Sequence, residues 1–369
     1  MDVTEKIALV TKEPAEEVVT NEELANLFNT NAHPKHYIGL EISGFLHLGS
    51  LILTCFKIND FIRAGVHCTV FLADWHTFIN DKLGGNLDTI RKVSEYYASA
   101  FKFLCPGIEI LQGSKLYESR REYWTELIQF AKHISLPRAM RTLTIMGRSE
   151  KDKLDLAQML YAPMQAVDIH TMDLDIVHAG MDQRKIHMLV REIFPKMKWK
   201  VPVAVHHRLL PGLSDPTPLA VSENEEINES ITAVLENQET GKKTIIESKM
   251  SKSKPSSGIF IHDTDEEIQS KIKKAWCPEG VVENNPLLEI SRYVIFHEFK
   301  EILVERSPKF GGNVSYTNYS QLESDFIQKK LHPSDLKKTV ETYLIKIISP
   351  IRKNIILKDE IIEAIKRSS

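Results

Sequence analysis

Short apolar runs alternate with segments of helical periodicity through much of this 369-residue chain, and this alternation limits the possible folds more than any other feature. Candidate strands cover residues 37–42, 67–73, 108–111, 175–179 and 201–205, and candidate helices cover 47–63, 88–104, 118–133, 138–147, 155–172 and 182–193. We expect Pro163 to interrupt the helix over 155–172. Strands separated by helices form a parallel, doubly wound sheet, whose ligands lie beyond the carboxyl ends of the strands.

The composition is that of a globular protein with more than one domain. Hydrophobic residues make up 42% of the chain and charged residues 26%, and the net charge is −3. Because the net charge is slightly negative, any nucleic-acid contact must come from local basic patches. No stretch approaches the roughly 20 apolar residues of a membrane span, and the N-terminus lacks a signal-like apolar run. We therefore expect a cytoplasmic protein that makes no membrane contact. Its four cysteines form no C-x-x-C pair, so we expect no zinc site, and three of them should pack as reduced core residues.

Changes in sequence character divide the chain into four regions. Residues 1–35 are expected to form an N-terminal extension, and residues 36–222 a Rossmann-like α/β domain. Residues 223–263 contain a polar, acidic insertion followed by a lysine-rich loop, and residues 264–369 are charged and helical. The fold class is therefore α/β, with a C-terminal, mainly α-helical domain.

The sequence YIGLEISGFLHLGS, residues 37–50, contains a strand, a glycine turn and a helix start. A helix N-terminus carries unpaired N–H groups and partial positive charge, which suit a phosphate group. His47 adds a donor at this place, and Gly49 lets a ligand approach the backbone closely. Taken alone, the motif would favour the alternative that His47 is a surface residue that merely caps the helix.

The motif KMSKS, residues 249–253, is typical of a loop. Lys249 and Lys252 are compact, flexible cations suited to a triphosphate, and such a loop can close on ATP and then release pyrophosphate. An exposed basic loop is the alternative, since short lysine-serine matches arise by chance. Because this motif follows a strand–His-x-Gly–helix unit, the two together favour an ATP site for adenylyl transfer, where ammonium groups meet the charge that develops on pyrophosphate.

Tyr161, Gln165 and Asp168 are spaced i, i+4 and i+7, so they share one face of a predicted helix. A phenol, an amide and a carboxylate are unusual on a helix that is otherwise apolar. A solvent-facing stripe is the alternative, but the opposite face is no more polar, which favours a buried cavity. The segment GMDQ, residues 180–183, places another carboxylate and amide after a strand, where ligand chemistry is expected.

At this point the chain closely resembles the class I tyrosyl-tRNA synthetases of the archaeal and eukaryotic type. The resemblance runs from residue 37 to 352 and rests on YIGLEISGFLHLGS, LADWH, YAPMQAVDIH, AGMDQRKIHML, KMSKS, CPEGVVENNP, KFGG and LHPSDLK. The last three segments separate it from the similar tryptophanyl enzymes. The resemblance implies that L-tyrosine is activated with ATP to tyrosyl-adenylate and pyrophosphate and is then transferred to the 3′ end of tRNA(Tyr).

The resemblance also implies roles for individual residues. Tyrosine would be bound by Tyr37, Glu41, His76, Tyr161, Gln165, Asp168 and Gln183. Within this set, Tyr37 and Asp168 would hold the phenolic hydroxyl, and Tyr161, Gln165 and Gln183 the α-ammonium group. ATP would be bound by Gly39, His47, Gly49, Ser50, Gly180, Asp182, Met250, Ser251 and Lys252. The catalytic residues would be His47, Lys249 and Lys252.

Further partners follow from the same resemblance. The acceptor stem of the tRNA would face Arg141, Arg184 and Lys185, and the anticodon would be read by Phe310, His332 and Asp335 in the C-terminal domain. Residues 115–150 would be a connecting insertion that forms a homodimer interface. Mg²⁺ would accompany ATP without a dedicated protein ligand.

The residues alone leave several points open. They favour Phe310 as a core anchor and Asp335 as a helix N-cap over anticodon recognition. Ser50 stands where the signature motif usually has a second histidine, which leaves its role in catalysis open. A tryptophanyl enzyme, a small-metabolite adenylyltransferase and a non-catalytic paralogue that binds RNA are the alternative functions. The first would not respond to tyrosine, the second would lack an RNA-binding domain, and the third would bind tRNA without pyrophosphate exchange.

Overall fold

The computed structural model describes residues 1–148, 152–216, 234–236, 243–245, 250 and 255–367. The chain forms two compact units. The first unit contains Met1–Gly44, Thr54–Arg208 and Leu357–Ser369, and the second contains Phe45–Leu53 and Leu209–Ile356. No helix in the described parts of the chain is long and apolar enough to cross a membrane.

The strands of the first unit are β1 (Ala15–Val19), β2 (Lys35–Leu40), β3 (His67–Leu72), β4 (Glu109–Gln112), β5 (Ile176–Gly180) and β6 (Val203–His207). Its helices are α1 (Val3–Thr11), α2 (Asn21–Thr30), α3 (Thr54–Arg63), α4 (Asp74–Ile79), α5 (Leu87–Leu104), α6 (Gly113–Ser119), α7 (Tyr123–Ala131), α8 (Leu136–Thr142), α9 (Tyr161–Thr171), α10 (Arg184–Met197) and a C-terminal helix, Asp359–Arg367. Short 3₁₀ turns cover Lys82–Gly85, Leu143–Met146, Ala157–Leu160 and Met181–Gln183.

The six strands form one sheet in the order β1-β6-β5-β2-β3-β4. Strands β2 to β6 pair in parallel, which confirms the predicted doubly wound sheet. The chain builds outward from β2 through β3 to β4, and then returns to add β5 on the other side of β2. The strand order therefore reverses between β2 and β5, and ligands of such sheets bind beyond the carboxyl ends of strands at this point.

Residues 1–35, predicted as an N-terminal extension, contribute α1, β1 and α2 to the first unit. β1 pairs antiparallel with β6 and makes the sheet mixed. The buried Lys57 ammonium donates to the carbonyl oxygens of Leu9 and Lys12 at 2.7 and 2.9 Å, which fastens the end of α1. The strand sequence AEEVV lacks an apolar run, so its pairing was not visible in the sequence.

The core of the first unit is built largely from aromatic side chains. The core includes Tyr37, Phe71, Tyr123, Phe130 and Phe194, all at most 1% exposed. Pro163 does not interrupt a helix: it lies in the first turn of α9, where its missing N–H is not needed. Cys55, Cys68 and Cys105 are buried free thiols, as predicted.

The second unit is mainly helical. Its elements are β7 (Val234–Glu236), β8 (Lys243–Ile245), α11 (Asp265–Lys274), α12 (Pro286–Ile290), α13 (Phe296–Glu298), β9 (Ile302–Val304), β10 (Val314–Tyr316), α14 (Tyr319–Ile327) and α15 (Pro333–Asn354). Single helical turns cover Leu48–Leu53, Pro255–Ser257, Ser291–Ile295 and Pro308–Phe310. β9 and β10 form an antiparallel pair that the sequence analysis did not predict. Most of the predicted polar insertion lies outside the described residues.

Candidate active site

The predicted tyrosine-binding residues lie around the switch point of the first unit. Tyr37 is in β2, and Glu41 follows that strand directly. Gly180 ends the neighbouring strand β5, and Asp182 follows it. Since the carboxyl ends of parallel strands meet at one edge of a sheet, the fold brings Glu41, Gly180 and Asp182 to the edge where ligands of such sheets bind, whereas Tyr37 lies in the middle of β2.

Asp168 is the most deeply buried carboxylate among the predicted site residues, with 1% of its surface exposed. The Tyr123 hydroxyl donates to Asp168 Oδ1 at 2.7 Å, and the Tyr117 hydroxyl donates to Oδ2 at 3.4 Å. Burial raises the pKa of Asp168 to about 8, although the bonds from the two tyrosines act to lower it. His76 Nε2 lies 3.7 Å from Oδ2. Burial lowers the pKa of His76 to about 4, so its imidazole is neutral at pH 7.

Tyr37 and Gln165 form a second part of the same pocket. Tyr37 is buried, and its hydroxyl forms a hydrogen bond with the half-buried Gln165 amide. Burial, together with the charge of Asp168, raises the pKa of the Tyr37 hydroxyl. This phenol therefore stays protonated near neutral pH and remains a hydrogen-bond donor close to Asp168.

Glu41 lies at the centre of a third set of contacts. The Tyr161 hydroxyl lies 3.4 Å from Glu41 Oε1, and Asn80 Nδ2 donates to the same oxygen at 2.7 Å. The ring of His76 packs edge-on against Tyr161 at 4.7 Å. Gln183 does not join this set: its Nε2 donates to the carbonyl oxygen of Ile145 at 2.8 Å.

Gly39 and Gly180 place bare backbone beside the pocket. Gly39 is exposed at the end of β2, and a Cβ built there would lie 3.3 Å from the Tyr37 ring. Gly180 is buried at the end of β5, and Asp182 after it is half-buried. The charge of Asp182 acts on both Tyr161 and the buried His207.

The His47–Ser50 segment belongs to the second unit. His47 Nδ1 accepts the backbone N–H groups of Gly49 and Ser50 at 3.2 and 3.4 Å. A ring nitrogen that accepts carries no proton, so these bonds assign the proton of the neutral imidazole to Nε2, which then acts as a donor. Ser50 Oγ accepts from His47 N at 3.0 Å and lies 3.3 Å from His47 O. The Ser50 hydroxyl therefore holds the main chain of His47 in place through its contacts with the His47 N–H and carbonyl groups.

Lys249, Ser251 and Lys252 of the second motif lie outside the described residues. Met250 is buried, and its backbone N–H donates to the carbonyl oxygen of Leu210 at 2.9 Å. Its side chain packs within 3.5 Å of the place where a Cβ on Gly258 would lie. Met250 is thus an apolar anchor between the two lysine positions.

The three predicted anticodon residues lie in the second unit. The structural roles that the residues alone favoured, a core anchor for Phe310 and a helix N-cap for Asp335, are both wrong. Phe310 is 63% exposed and therefore no core anchor, and its ring lies 4.7 Å from the Lys309 ammonium. His332, not Asp335, is the N-cap of α15: its Nδ1 accepts the Ser334 N–H at 3.2 Å. Asp335 is half-buried in the first turn of that helix.

Arg306 connects the Phe310 turn to the segment before α15. Its Nε donates to the carbonyl oxygen of Gly312 at 3.0 Å, and its Nη1 donates to the carbonyl oxygen of Lys330 at 2.8 Å. Through this side chain the exposed Phe310 is held near the segment that leads to His332. Sequence reasoning missed Arg306, because no motif marked it.

The three predicted acceptor-stem residues are exposed in the first unit. Arg141 lies near the end of α8. Arg184 pairs with Glu17 of β1 at 2.8 Å, and Lys185 Nζ donates to Thr144 Oγ1 at 3.0 Å. Arg184 therefore also fastens the edge strand to α10.

Sequence reasoning missed Tyr117, Tyr123 and Asn80, which contact Asp168 or Glu41 directly. Tyr117 follows β4 after only a few residues, at the edge where ligands were expected. That position was the available signal for Tyr117. Tyr123 and Asn80 carried no such signal, since a buried tyrosine or asparagine has no pattern of its own.

The family model of the class I tRNA synthetases for tryptophan and tyrosine, described as class I (W and Y), matches residues 29–349. The tyrosine–tRNA ligase of Thermococcus sibiricus is 43% identical over 371 residues, which cover 96% of this chain and 95% of that protein. The tyrosine–tRNA ligase of Pyrococcus horikoshii is 43% identical over 374 residues, with the same coverage.

Solved structures give the same result. A crystal structure of the Pyrococcus horikoshii tyrosyl-tRNA synthetase with L-tyrosine has a TM-score of 0.88 at 41% identity and covers 100% of both chains. The Plasmodium falciparum tryptophanyl-tRNA synthetase, at 16% identity and a TM-score of 0.65, shares the fold alone. This chain therefore belongs to the class I tRNA synthetases and, within them, to the family of the tyrosine–tRNA ligases.

Proposed function

We propose that this chain joins L-tyrosine to tRNA(Tyr) in two steps with the residues described above. In the first step, a carboxylate oxygen of tyrosine attacks the α-phosphorus of ATP, the bond to the β-phosphate breaks, and pyrophosphate leaves with its electrons. In the second step, a ribose hydroxyl at the 3′ end of the tRNA attacks the tyrosyl carbonyl carbon, and AMP leaves. Positioning and charge stabilisation carry both steps, since neither needs a covalent enzyme intermediate.

The observation that carries the proposal is the buried pocket of Tyr37, Gln165 and Asp168 at the switch point. Tyr37 supplies a phenol donor and Asp168 a buried acceptor, and the charge of Asp168 acts on the Tyr37 hydroxyl to raise its pKa. A phenolic hydroxyl both donates and accepts, so it satisfies the two groups together. Phenylalanine would leave both of them unpaired, at the cost of burying unsatisfied polar groups.

Glu41, Tyr161 and Gln165 support the binding of the α-ammonium group. Glu41 offers a carboxylate that already accepts two hydrogen bonds at Oε1, and a carboxylate has room for further donors. Gln183 would add its amide oxygen, since its Nε2 is engaged with Ile145. His76 is neutral and packs on Tyr161, so it shapes the pocket rather than adding charge.

His47 and the lysine loop are assigned to the triphosphate, which enters as its Mg²⁺ complex. The Nε2–H of His47 is assigned to a phosphate oxygen, because Nδ1 accepts backbone N–H groups and the proton of the neutral ring is then on Nε2. Lys249 and Lys252 add positive charge that matters most when charge develops on pyrophosphate. Gly39, Gly180 and Asp182 are assigned to the nucleoside, Gly39 and Gly180 because bare backbone admits close approach.

The exposed Phe310 supports anticodon reading by the second unit. An exposed aromatic ring next to a lysine ammonium is suited to stacking on an unpaired base beside a phosphate. His332 and Asp335 then hydrogen-bond the edge of that base. Arg141, Arg184 and Lys185 face the acceptor stem as exposed cations.

An apolar face on α7 supports a homodimer. Trp124, Ile128 and Leu160 are exposed on this face and line a cavity of about 510 Å³ together with Leu127, Ala131 and the stem of Lys132. Contiguous exposed apolar surface of this kind is typical of a protein interface. The face lies within residues 115–150 apart from Leu160.

Amino-acid-dependent exchange of pyrophosphate into ATP tests the proposal. Purified protein is assayed with tyrosine, tryptophan and phenylalanine in parallel, with and without Mg²⁺. We expect exchange with tyrosine alone. Exchange with tryptophan alone would point to a tryptophanyl enzyme, and tRNA binding without any exchange would point to a non-catalytic paralogue.

A further inference from the structure

Two tyrosines outside the predicted site enclose the Asp168 carboxylate. Tyr123, at the start of α7, donates to Oδ1 at 2.7 Å and is fully buried. Tyr117, on α6, donates to Oδ2 at 3.4 Å and is also buried. The two rings lie 4.3 Å apart, so each restricts the position of the other. Each carboxylate oxygen of Asp168 thus receives one phenol hydroxyl.

The start of α6 is built to hold Tyr117 in this place. Asp74 Oδ1 accepts the backbone N–H of Ser114 at 2.9 Å, and Asp74 Oδ2 accepts the Ser114 hydroxyl at 2.5 Å. A Cβ on Gly113 would lie 2.8 Å from Asp74 Oδ1 and 3.1 Å from the Tyr117 hydroxyl, so only glycine fits there. The Tyr123 hydroxyl also lies 3.3 Å from the carbonyl oxygen of Met164, one turn before Asp168 on α9.

We propose that Tyr117 and Tyr123 are positioning residues that make Asp168 selective for a phenolic hydroxyl. This inference rests on the proposed function and deepens it. The two tyrosines fix the plane of the carboxyl group, and their hydrogen bonds act to lower its pKa, which favours the ionised form that accepts a hydrogen bond. Neither tyrosine needs to touch the substrate for this effect.

The physical reason is the cost of a buried charge. A carboxylate offers about four acceptor positions, and the two phenols occupy one on each oxygen, which leaves one side of the group for a substrate donor. Burial disfavours the ionised carboxyl, and the nearby Asp74 charge opposes it further, whereas the bonds from Tyr123 and Tyr117 favour it. Without these bonds Asp168 is protonated over a wider pH range, and a protonated carboxyl accepts a phenol hydrogen bond poorly.

The groups that face Asp168 define what else can act on it. Two of these groups lie on α4: His76, whose Nε2 is 3.7 Å from Asp168 Oδ2, and Asp74, whose charge acts on Asp168. Tyr117 on α6 and Tyr123 on α7 donate to Asp168, and Tyr37 on β2 interacts with its charge. His76 is neutral near pH 7, so it brings no competing positive charge. The hydrogen bonds from Tyr123 and Tyr117 are therefore the interactions that favour the charged form of Asp168.

Single hydroxyl deletions test this inference in the full-length protein. Tyr123→Phe and Tyr117→Phe are compared with Tyr316→Phe as a matched control. Tyr316 is buried in the second unit, and its hydroxyl donates to the Asp325 carboxylate at 3.0 Å. For each protein, kcat/KM for tyrosine is measured by pyrophosphate exchange from pH 6 to 9, and phenylalanine is measured as a substrate and as a competitive inhibitor.

We expect Tyr123→Phe to lower the preference for tyrosine over phenylalanine by roughly tenfold, because a hydrogen bond to a charged group is lost. The acid limb of the tyrosine profile should move to higher pH by about one unit. Tyr117→Phe should act in the same direction by a smaller factor, since its bond is longer, at 3.4 Å. It also provides the test if Tyr123→Phe does not fold. Tyr316→Phe should change neither quantity.

Other outcomes separate the ways in which the inference fails. If both pocket variants lose thermal stability but keep the parent's preference and pH profile, the tyrosines are only structural, and the positioning role is overturned. If the unmodified protein shows no tyrosine-dependent exchange, the proposed function itself is overturned, and this inference with it. A preference that changes equally in Tyr316→Phe would overturn a role specific to Asp168.

Discussion

Acid should destabilise the first unit through His36, and His36→Leu should remove a measurable part of this effect. His36 lies in β2 directly before Tyr37 and is 0% exposed. Its ring lies 4.3 Å from the Phe61 ring and 5.3 Å from the ring of His178. Burial and the neighbouring Lys57 charge lower its pKa from 6.5 to about 3. A leucine of similar size keeps the apolar contact with Phe61 but cannot be protonated.

The sign and size of the effect follow from the two pKa values. Below pH 6.5 the unfolded chain binds a proton at this residue, whereas the folded chain does not until the pH approaches about 3. The folded state therefore loses stability as the pH falls through this window, and nothing is lost above it. From pH 7 to pH 5 the loss is about 2 kcal/mol for one such histidine, at about 1.4 kcal/mol per pH unit below the unfolded pKa.

Urea unfolding at pH 7 and pH 5 measures this quantity in the parent, His36→Leu and His133→Leu. Trp75, Trp124 and Trp199 lie in the first unit, so tryptophan fluorescence reports mainly on its unfolding. The difference in unfolding free energy between the two pH values should be about 2 kcal/mol smaller in His36→Leu than in the parent. His133 is exposed and serves as the control, with no expected change. Equal acid dependence in parent and His36→Leu would refute the reasoning.

Three further predictions concern the proposed function. Lys252→Ala should slow adenylate formation, measured by single-turnover kinetics, by roughly ten- to hundredfold, while the dissociation constant for tyrosine stays near the parent value. An unchanged rate would show that Lys252 has no role in the transition state. Asp335→Ala should leave tyrosine-dependent exchange intact and lower tRNA charging, with a smaller loss on a tRNA already altered at the contacted anticodon base; equal losses on both tRNAs would contradict base recognition. Ile128→Asp should give a monomer in sedimentation velocity, because a charge enters the apolar face of α7. Ile356→Asp is the control: Ile356 is 82% exposed, against 65% for Ile128, and its replacement should leave the assembly unchanged.

The parallel part of the sheet and its helices were predictable from local pattern. The strands 67–72 and 176–180 and the helix 87–104 lie within one residue of their predicted bounds. Strand runs and amphipathic periodicity are local properties, so the sequence displays them directly. β1 was missed because its polar sequence gains stability from β6, a partner strand far away in the sequence. β9 and β10 were missed because each has only three residues, too few to show a strand period.

Predictions for the individual site residues agreed with the structure in some cases and not in others, because burial depends on the whole chain. The stripe Tyr161, Gln165 and Asp168 was predicted to face a buried cavity, and Tyr161 and Asp168 are buried. For Phe310 and Asp335, the residues alone favoured structural roles, and the fold shows an exposed ring and a helix capped by His332 instead. Burial and capping depend on the path of the whole chain, which a short segment does not encode.

The sequence by itself determined the class of fold, the expectation that ligands lie beyond the carboxyl ends of the strands, and the chemical groups of the motifs, because strand and helix periods and residue types are local. Only the tertiary structure decided that Tyr117 and Tyr123 enclose Asp168 and that His47 Nδ1 accepts backbone N–H groups, which assigns the ring proton to Nε2. It also decided that residues 1–35 add an antiparallel edge strand to the sheet. These features arise where segments distant in sequence meet. The protonation and orientation of a buried group are set by its neighbours in space, and its neighbours in sequence do not reveal them.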